Sequence, residues 1–354
     1  MKKLWNIVLA LLKFFIWFLL GLWALYLFGA FYYDMQLGMP AGISVIIFLT
    51  GLVTILFVLK RRYRILTFIT VCSIVTVAWS TIKPSNDRNW EPDKAILSYA
   101  EFDGDLVNIH DMRDAYYPEA RKYELEYVDR TYDLSKIVGM DLYNCYWTSD
   151  LIAHPMLSWR FEDGKAFTIS IENRNTTKKG YSVLGGFFKQ YELIYIVSTD
   201  RDAVHRRTIY DPEDRIYMYM LDVTPREARE ALVDYLNRVN ELYDKPAWYN
   251  TLLNNCTTTI QVHLVATQDF PMPWNWGILF PGLYCKSIYD HGGMVSDLPY
   301  EELAERGLRN KAANRIGRAD DFWKQIRMDV PGFESYNINK ADSSISFLNN
   351  STKH

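Results

Sequence analysis

The sequence predicts an α+β protein in two parts: three N-terminal transmembrane helices, then a domain with an antiparallel sheet and a cysteine-bearing helix. Three observations carry this. Apolar residues gather in three runs, 4–32, 43–59 and 65–82, each near the ~20 residues that a helix needs to cross a bilayer. Seven runs rich in alternating, β-branched or aromatic residues follow between 106 and 221. One helix after them carries complete start signals.

The spans are oriented by their flanks, because Lys and Arg are retained on the cytoplasmic side. Lys2 and Lys3 precede the first span, the first loop holds Asp34 and no Lys or Arg through residue 42, and the second loop holds Lys60, Arg61, Arg62 and Arg64. The order is inside, outside, inside, outside. Trp5, Trp17, Trp23, Tyr32, Tyr33 and Trp79 punctuate the spans, several near the interfaces where amphipathic rings anchor helices. Lys13, toward the cytoplasmic end of the first span, can snorkel. A cleaved signal peptide is the alternative for the first span, but its apolar core exceeds the ~7–15 residues of such peptides.

The chain is therefore read as a membrane anchor over 1–83, a linker over 84–93 broken by Pro84 and Pro92, an outer domain over 94–332, and a poorly ordered tail over 333–354. Strands are expected at 106–109, 125–132, 142–147, 156–161, 167–171, 192–197 and 216–221. Thr224 as N-cap, Pro225 in the first turn and Glu227 three beyond the cap form a capping box, and Ala228, Leu232, Tyr235, Leu236, Val239 and Leu242 supply an apolar stripe ending near Asp244. A second helix is expected from about Asn255, although Thr257–Thr259 and Val262 suit a strand equally by propensity.

A formal net charge of −3 gives no basic field to hold a nucleic-acid backbone. Cys72, Cys145, Cys256 and Cys285 lack any CxxC or other zinc-ligand spacing, so no metal or other cofactor is implied. A Cys145–Cys285 disulfide is permitted by an outer compartment and is not fixed by the sequence.

Cys256 follows Asn254 and Asn255, good helix caps, at the head of the second helix. Free amide groups and the dipole at a helix N-terminus lower a thiol pKa toward neutrality, so a thiol there is a candidate nucleophile; a lone Cys is more often a small buried hydrophobe. A base is also needed, from among His110, His154, His205, His263 and His291. His263 lies seven positions along the same helix, about 10 Å at ~1.5 Å per residue, too far for a hydrogen bond. His154 has the best setting, because 156–161, Glu162-Asp163-Gly164 and 167–171 read as a hairpin. In a three-residue loop with Gly164 left-handed, 161 pairs with 165 and His154 falls opposite Glu172, on one face. A two-residue Asp163-Gly164 loop would shift the register by one and separate them. A carboxylate beside the imidazole would fix its tautomer and stabilise the imidazolium.

Gly104-Asp105-Leu106-Val107-Asn108-Ile109-His110, Ala153-His154-Pro155-Met156-Leu157-Ser158-Trp159, Ile169-Ser170-Ile171-Glu172-Asn173-Arg174, Tyr191-Glu192-Leu193-Ile194-Tyr195, Arg201-Asp202 with Arg206-Arg207-Thr208, and Tyr249-Asn250 leading to Asn255-Cys256-Thr257-Thr258 form an ordered series. It resembles the Lnb family of bacterial lipoprotein N-acyltransferases, over roughly residues 87 to 332. The resemblance implies a circularly permuted papain-like fold, similar to NlpC-type hydrolases and lecithin:retinol acyltransferases, with the histidine before the cysteine. It maps the nucleophile onto Cys256 and the base onto His154; Asn255, Asn250 and Arg174 are read as supporting residues, and Glu172 as the orienting group comes from the hairpin. Two departures stand out: Asp111-Met112-Arg113-Asp114 replaces an Asn-Ile-Arg-Asn type, and Pro155 follows the histidine where Thr is usual.

The implied reaction takes a fatty acyl chain from a membrane phospholipid to the N-terminal amine of a diacylglyceryl-cysteine lipoprotein, through a Cys256 thioester, at a bacterial inner membrane with the domain periplasmic. The alternatives are a membrane-tethered peptidoglycan cysteine peptidase or amidase, and a non-catalytic membrane-anchored binding module. The topology has its own test: a reporter active only outside the cytoplasm should be active when fused after Lys83 and silent after Arg64. The reverse pattern would overturn the orientation.

Overall fold

The computed structural model describes residues 1–35, 38–267, 277 and 280–333; of the tail expected over 333–354, all but Phe333 lies outside them. The described chain forms two compact units, one of residues 1–85, 180–192 and 248–251, the other comprising 86–179, 193–247 and the rest.

The first unit holds α1 (Lys2–Tyr33), α2 (Ala41–Val53, prolonged by a π turn Thr54–Val58) and α3 (Arg61–Ser80). By length and composition all three can cross a membrane. They pack through Leu27, Phe31, Phe48, Phe68 and Cys72, with the Phe31 and Phe48 rings stacked at 4.6 Å. Trp23 Nε1 donates to Thr76 Oγ1 at 3.0 Å between α1 and α3, satisfying a polar atom that lipid could not.

The second unit is built on an eight-stranded sheet, which makes the architecture α+β. Its strands are β1 (Tyr99–Asp103), β2 (Leu106–Arg113), β3 (Tyr127–Asp133), β4 (Ile137–Tyr146), β5 (Ala153–Phe161), β6 (Ala166–Arg174), β7 (Glu192–Thr199) and β8 (Arg215–Met220). They run in the order β1-β2-β7-β6-β5-β4-β8, with β3 added on β2. The sheet is mixed: β2 meets β7 in a parallel bridge at Arg113 and Ser198, while the β1·β2, β2·β3, β4·β5, β4·β8 and β5·β6 pairs are antiparallel. β1 was not expected from the sequence; it pairs with β2 across the two-residue Gly104-Asp105 turn, with Gly104 at φ +59°.

The capping box forms at the head of α5 (Pro225–Asp244), where Glu227 N donates to Thr224 Oγ1 at 3.2 Å and Thr224 N to Glu227 Oε2 at 2.7 Å. The apolar stripe of α5 is buried, and Trp159 of β5 donates from Nε1 to Ala228 O at 2.9 Å. Elsewhere the core contains a buried ionic cluster. Arg327 donates from Nε to Asp141 at 2.7 Å, from Nη1 to Asp200 at 2.6 Å and from Nη2 to Ser158 Oγ at 2.8 Å. Ser158 and Thr168 each donate to Asp200 at 2.7 Å, so the charges are held by β4, β5, β6 and the start of α4 (Asp200–His205) together. Removing one member of such a set strands the others in a dry interior.

The β5–β6 hairpin positions the candidate site. Arg160 lies opposite Ala166, Trp159 opposite Phe167, Ser158 opposite Thr168 and Leu157 opposite Ile169. Phe161 N donates to Lys165 O at 2.9 Å, and Gly164 sits at φ +79° in the left-handed region. This is the three-residue-loop register. A side chain at 164 is strained, and its Cβ would lie 3.3 Å from Trp323 Cζ2. Gly164→Ala should therefore lower stability by about 1–2 kcal/mol in denaturant unfolding of the full chain in detergent. An unchanged midpoint would show that the loop does not need the left-handed residue.

Candidate active site

Cys256 is the first residue of α6 (Cys256–Thr267). Asn255 caps that helix: Thr258 N donates to Asn255 Oδ1 at 2.8 Å, and Asn255 N donates to Thr258 Oγ1 at 3.0 Å. Two orphan donors of the first turn are thereby satisfied reciprocally, with Thr258 in the place a Glu holds in the usual box. β-branched Thr257–Thr259 thus enter a helix because the cap and tertiary packing outweigh their strand propensity. α6 packs against α5, β5 and β6.

The thiol is 9% exposed and lies 3.9 Å from Thr257 Oγ1. Burial pushes it up to about 11, while hydrogen bonds from the Thr257 hydroxyl and amide and from its own amide pull the other way and the charge of Glu172 raises it. The lowered thiol pKa expected from the helix terminus is therefore not the resting condition. Desolvation of the thiolate outweighs the donors.

His154 lies on β5, buried, with Nε2 2.7 Å from Ser170 Oγ and 3.5 Å from Glu172 Oε1. Ser170 Oγ donates to Glu172 Oε1 at 2.9 Å. Glu172 also accepts from Arg207 Nη2 at 2.7 Å and has Lys94 Nζ 3.5 Å from its other oxygen. Burial would raise this carboxyl, but Arg207, Lys94 and His154 hold it well below its usual range, so it is ionised and accepts only. The Ser170 proton is committed to Glu172, so Ser170 accepts from His154 Nε2–H. The lone pair of the imidazole then resides on Nδ1. Burial lowers His154 to about 4, against the opposing pull of Glu172. The resting pair is a neutral thiol and a neutral imidazole.

Residues 123–277 match the family model described as the Lnb N-terminal periplasmic domain, a span holding His154, Ser170, Glu172 and Cys256. This matched segment belongs to the Lnb family. No curated protein and no solved structure matches the chain. The chain is accordingly a membrane protein with an Lnb periplasmic domain.

Within the Lnb domain the predicted residues are brought together unequally. His154 and Glu172 meet through Ser170, whereas no hydrogen bond joins Cys256 to His154 among the described residues. Apo catalytic contacts are commonly long and tighten on substrate binding. Arg174 serves the entry segment instead: Nε donates to Lys94 O at 2.8 Å, Nη2 to Ala95 O at 2.6 Å, Nη1 to Asn86 Oδ1 at 3.1 Å, and the guanidinium lies 4.2 Å over the Trp90 ring. Asn250 belongs to the first unit, where Nδ2 reaches Phe187 O at 3.5 Å. The other histidines have their own partners: His110 meets Asp129, His205 the carbonyl of Ala313, His263 Asp234 and Tyr195, and His291 the carbonyl of Ser287. Cys145 and Cys285 are free thiols, Cys145 donating to Asp214 at 3.4 Å.

Ser170, Lys94 and Arg207 were not singled out in the sequence. Ser170 was accessible, since it precedes Glu172 by two residues on one strand and so shares its face. Lys94 arrives from a distant segment with no local signal, and Arg207, although part of the Arg206-Arg207-Thr208 run, carried no sign of its partner.

The lowered His154 pKa links stability to pH. Between about 4 and 6.5 the unfolded chain binds the proton that the folded chain refuses, so stability falls as pH drops through that window. A shift of this size corresponds to roughly 3 kcal/mol. His154→Gln keeps a donor for Ser170 and should remove the His154 share of the slope in denaturant titrations at pH 7 and 4.5, leaving the share of His205, which burial also lowers to about 4. An equal slope in both proteins would contradict a buried neutral His154.

Proposed function

We propose that the protein is a lipoprotein N-acyltransferase working through a Cys256 thioester, with His154 as base and acid and Glu172 acting through Ser170. The observation that carries this is the buried His154–Ser170–Glu172 chain in an Lnb domain, on strands against which the Cys256 helix packs. Histidine before cysteine, with the thiol opening a helix that packs on the histidine strand, also suits a permuted papain-like domain.

Because both groups are neutral at rest, the proton moves as the bond forms. Cys256 Sγ attacks the ester carbonyl of a phospholipid and its proton passes to His154 Nδ1. The oxyanion is met by helix N-terminal amide donors, including that of Cys256. Collapse breaks the ester bond, and the imidazolium returns the proton to the departing alkoxide, giving lysophospholipid and thioester. The amine of a diacylglyceryl cysteine then attacks the thioester, His154 takes its proton, and collapse returns that proton to the leaving thiolate. Glu172, relayed by Ser170, stabilises the transient imidazolium. Three apolar helices on the same chain hold the enzyme at the membrane where both substrates reside.

Withholding the acceptor should trap the intermediate. Incubated with phospholipid alone, the protein should gain a hydroxylamine-labile acyl mass on the Cys256 peptide, absent in Cys256→Ala. A diacylglyceryl cysteine peptide should discharge it as an amide. A wild-type protein that never acquires the adduct but cleaves wall peptides would replace this reading with a peptidase.

A further inference from the structure

Residues 180–192 connect β6 to β7 yet belong to the compact unit of the three apolar helices. The segment closes on itself. Tyr191 OH donates to Gly180 O at 2.9 Å and accepts from Ser182 N at 2.8 Å, while Gly186 N and Phe187 N donate to Ser182 O and Leu184 O. It is a compact loop with a preformed tip, the Ω type.

Its base is fixed to the ends of α1 and α3. Phe188 stacks on Tyr33 at 5.0 Å and lies 5.3 Å from Tyr26, so close to Gly29 that any Cβ there would fall 2.1 Å from the ring. Tyr26 OH donates to Phe187 O at 3.2 Å. Lys189 Nζ caps α3 in trans, donating to Trp79 O at 2.8 Å, Ser80 O at 3.1 Å and Ile82 O at 2.9 Å, and its backbone N donates to Asp34 Oδ2, which also accepts from Trp79 Nε1 at 2.6 Å. The carbonyls at the end of α3 thereby gain a charged donor at the negative end of the helix dipole. Tyr26, Tyr33 and Trp79, with ring contacts to one another or to Phe188, are residues that settle at the headgroup level of a bilayer.

The tip, by contrast, turns large apolar side chains outward: Val183 is 53% and Leu184 66% exposed.

We propose that the 180–192 loop is an interfacial membrane element that inserts Val183 and Leu184 into the leaflet on the Asp34–Trp79 side. The occupant of this apolar surface is lipid hydrocarbon, because the loop that carries it is anchored on the ends of helices long and apolar enough to cross a bilayer. The inference rests on those spans and is independent of acyl transfer.

The test uses the full chain in lipid nanodiscs, with an environment-sensitive fluorophore on Leu184→Cys and, as aqueous reference, on exposed Glu305→Cys. The four native thiols are buried, and the unsubstituted chain labelled in parallel gives the background. The Leu184 probe should emit at shorter wavelength than the Glu305 probe and be quenched by phospholipid bearing a nitroxide on its acyl chain. A Leu184 probe that matches the reference in both emission and quenching would overturn the proposal and leave the tip as a water-exposed or protein-binding surface.

Discussion

The candidate site depends on the length of one hairpin loop. Three residues, with Gly164 left-handed, set the pairing of β5 with β6, and the pairing decides which side chains share a face. A loop one residue shorter would turn every β6 side chain to the other side of the sheet. His154 would lose Ser170 and Glu172 together, and Glu172 would lose Arg207. The buried Asp200 cluster, which binds Ser158 of β5 and Thr168 of β6 on the same register, reinforces that choice farther along the hairpin.

Burial then decides the protonation states. Glu172 stays charged because Arg207 and Lys94 offset its desolvation, and that charge is what makes Ser170 a one-way relay. For His154 the pull of Glu172 does not offset burial, and the imidazole remains neutral with its lone pair on Nδ1. Cys256 is likewise neutral, since the amides at the head of α6 do not outweigh the loss of water. A site of this kind is unreactive until a substrate supplies a carbonyl on which negative charge can develop. On the proposed acyl-transfer reading, that restraint limits wasteful thiolate chemistry.

Much of this was legible in the sequence where the signal is local. Loop charges and apolar runs marked the three helices; the capping box placed the start of α5 at Pro225; Glu162-Asp163-Gly164 set the hairpin register. The misses are all products of tertiary structure. β1 is short and needs β2 to be recognised, α4 begins where Thr199 turns a strand into a helix by accepting from Asp202 N, and Arg327 reaches Asp141 across nearly two hundred residues. The raised pKa of Cys256 has the same origin, because helix position is readable locally and desolvation is not.

In the proposed mechanism His154, Ser170 and Glu172 act as one unit on the Cys256 proton. A double-mutant cycle tests it most directly, with Ser170→Ala, Glu172→Gln and the double variant compared by the rate at which Cys256 acquires an acyl group from phospholipid. Residues that act as a unit lose their effect together, so the double variant should be no slower than the slower single variant. Losses that multiply, or single variants that react at the wild-type rate, would contradict the relay.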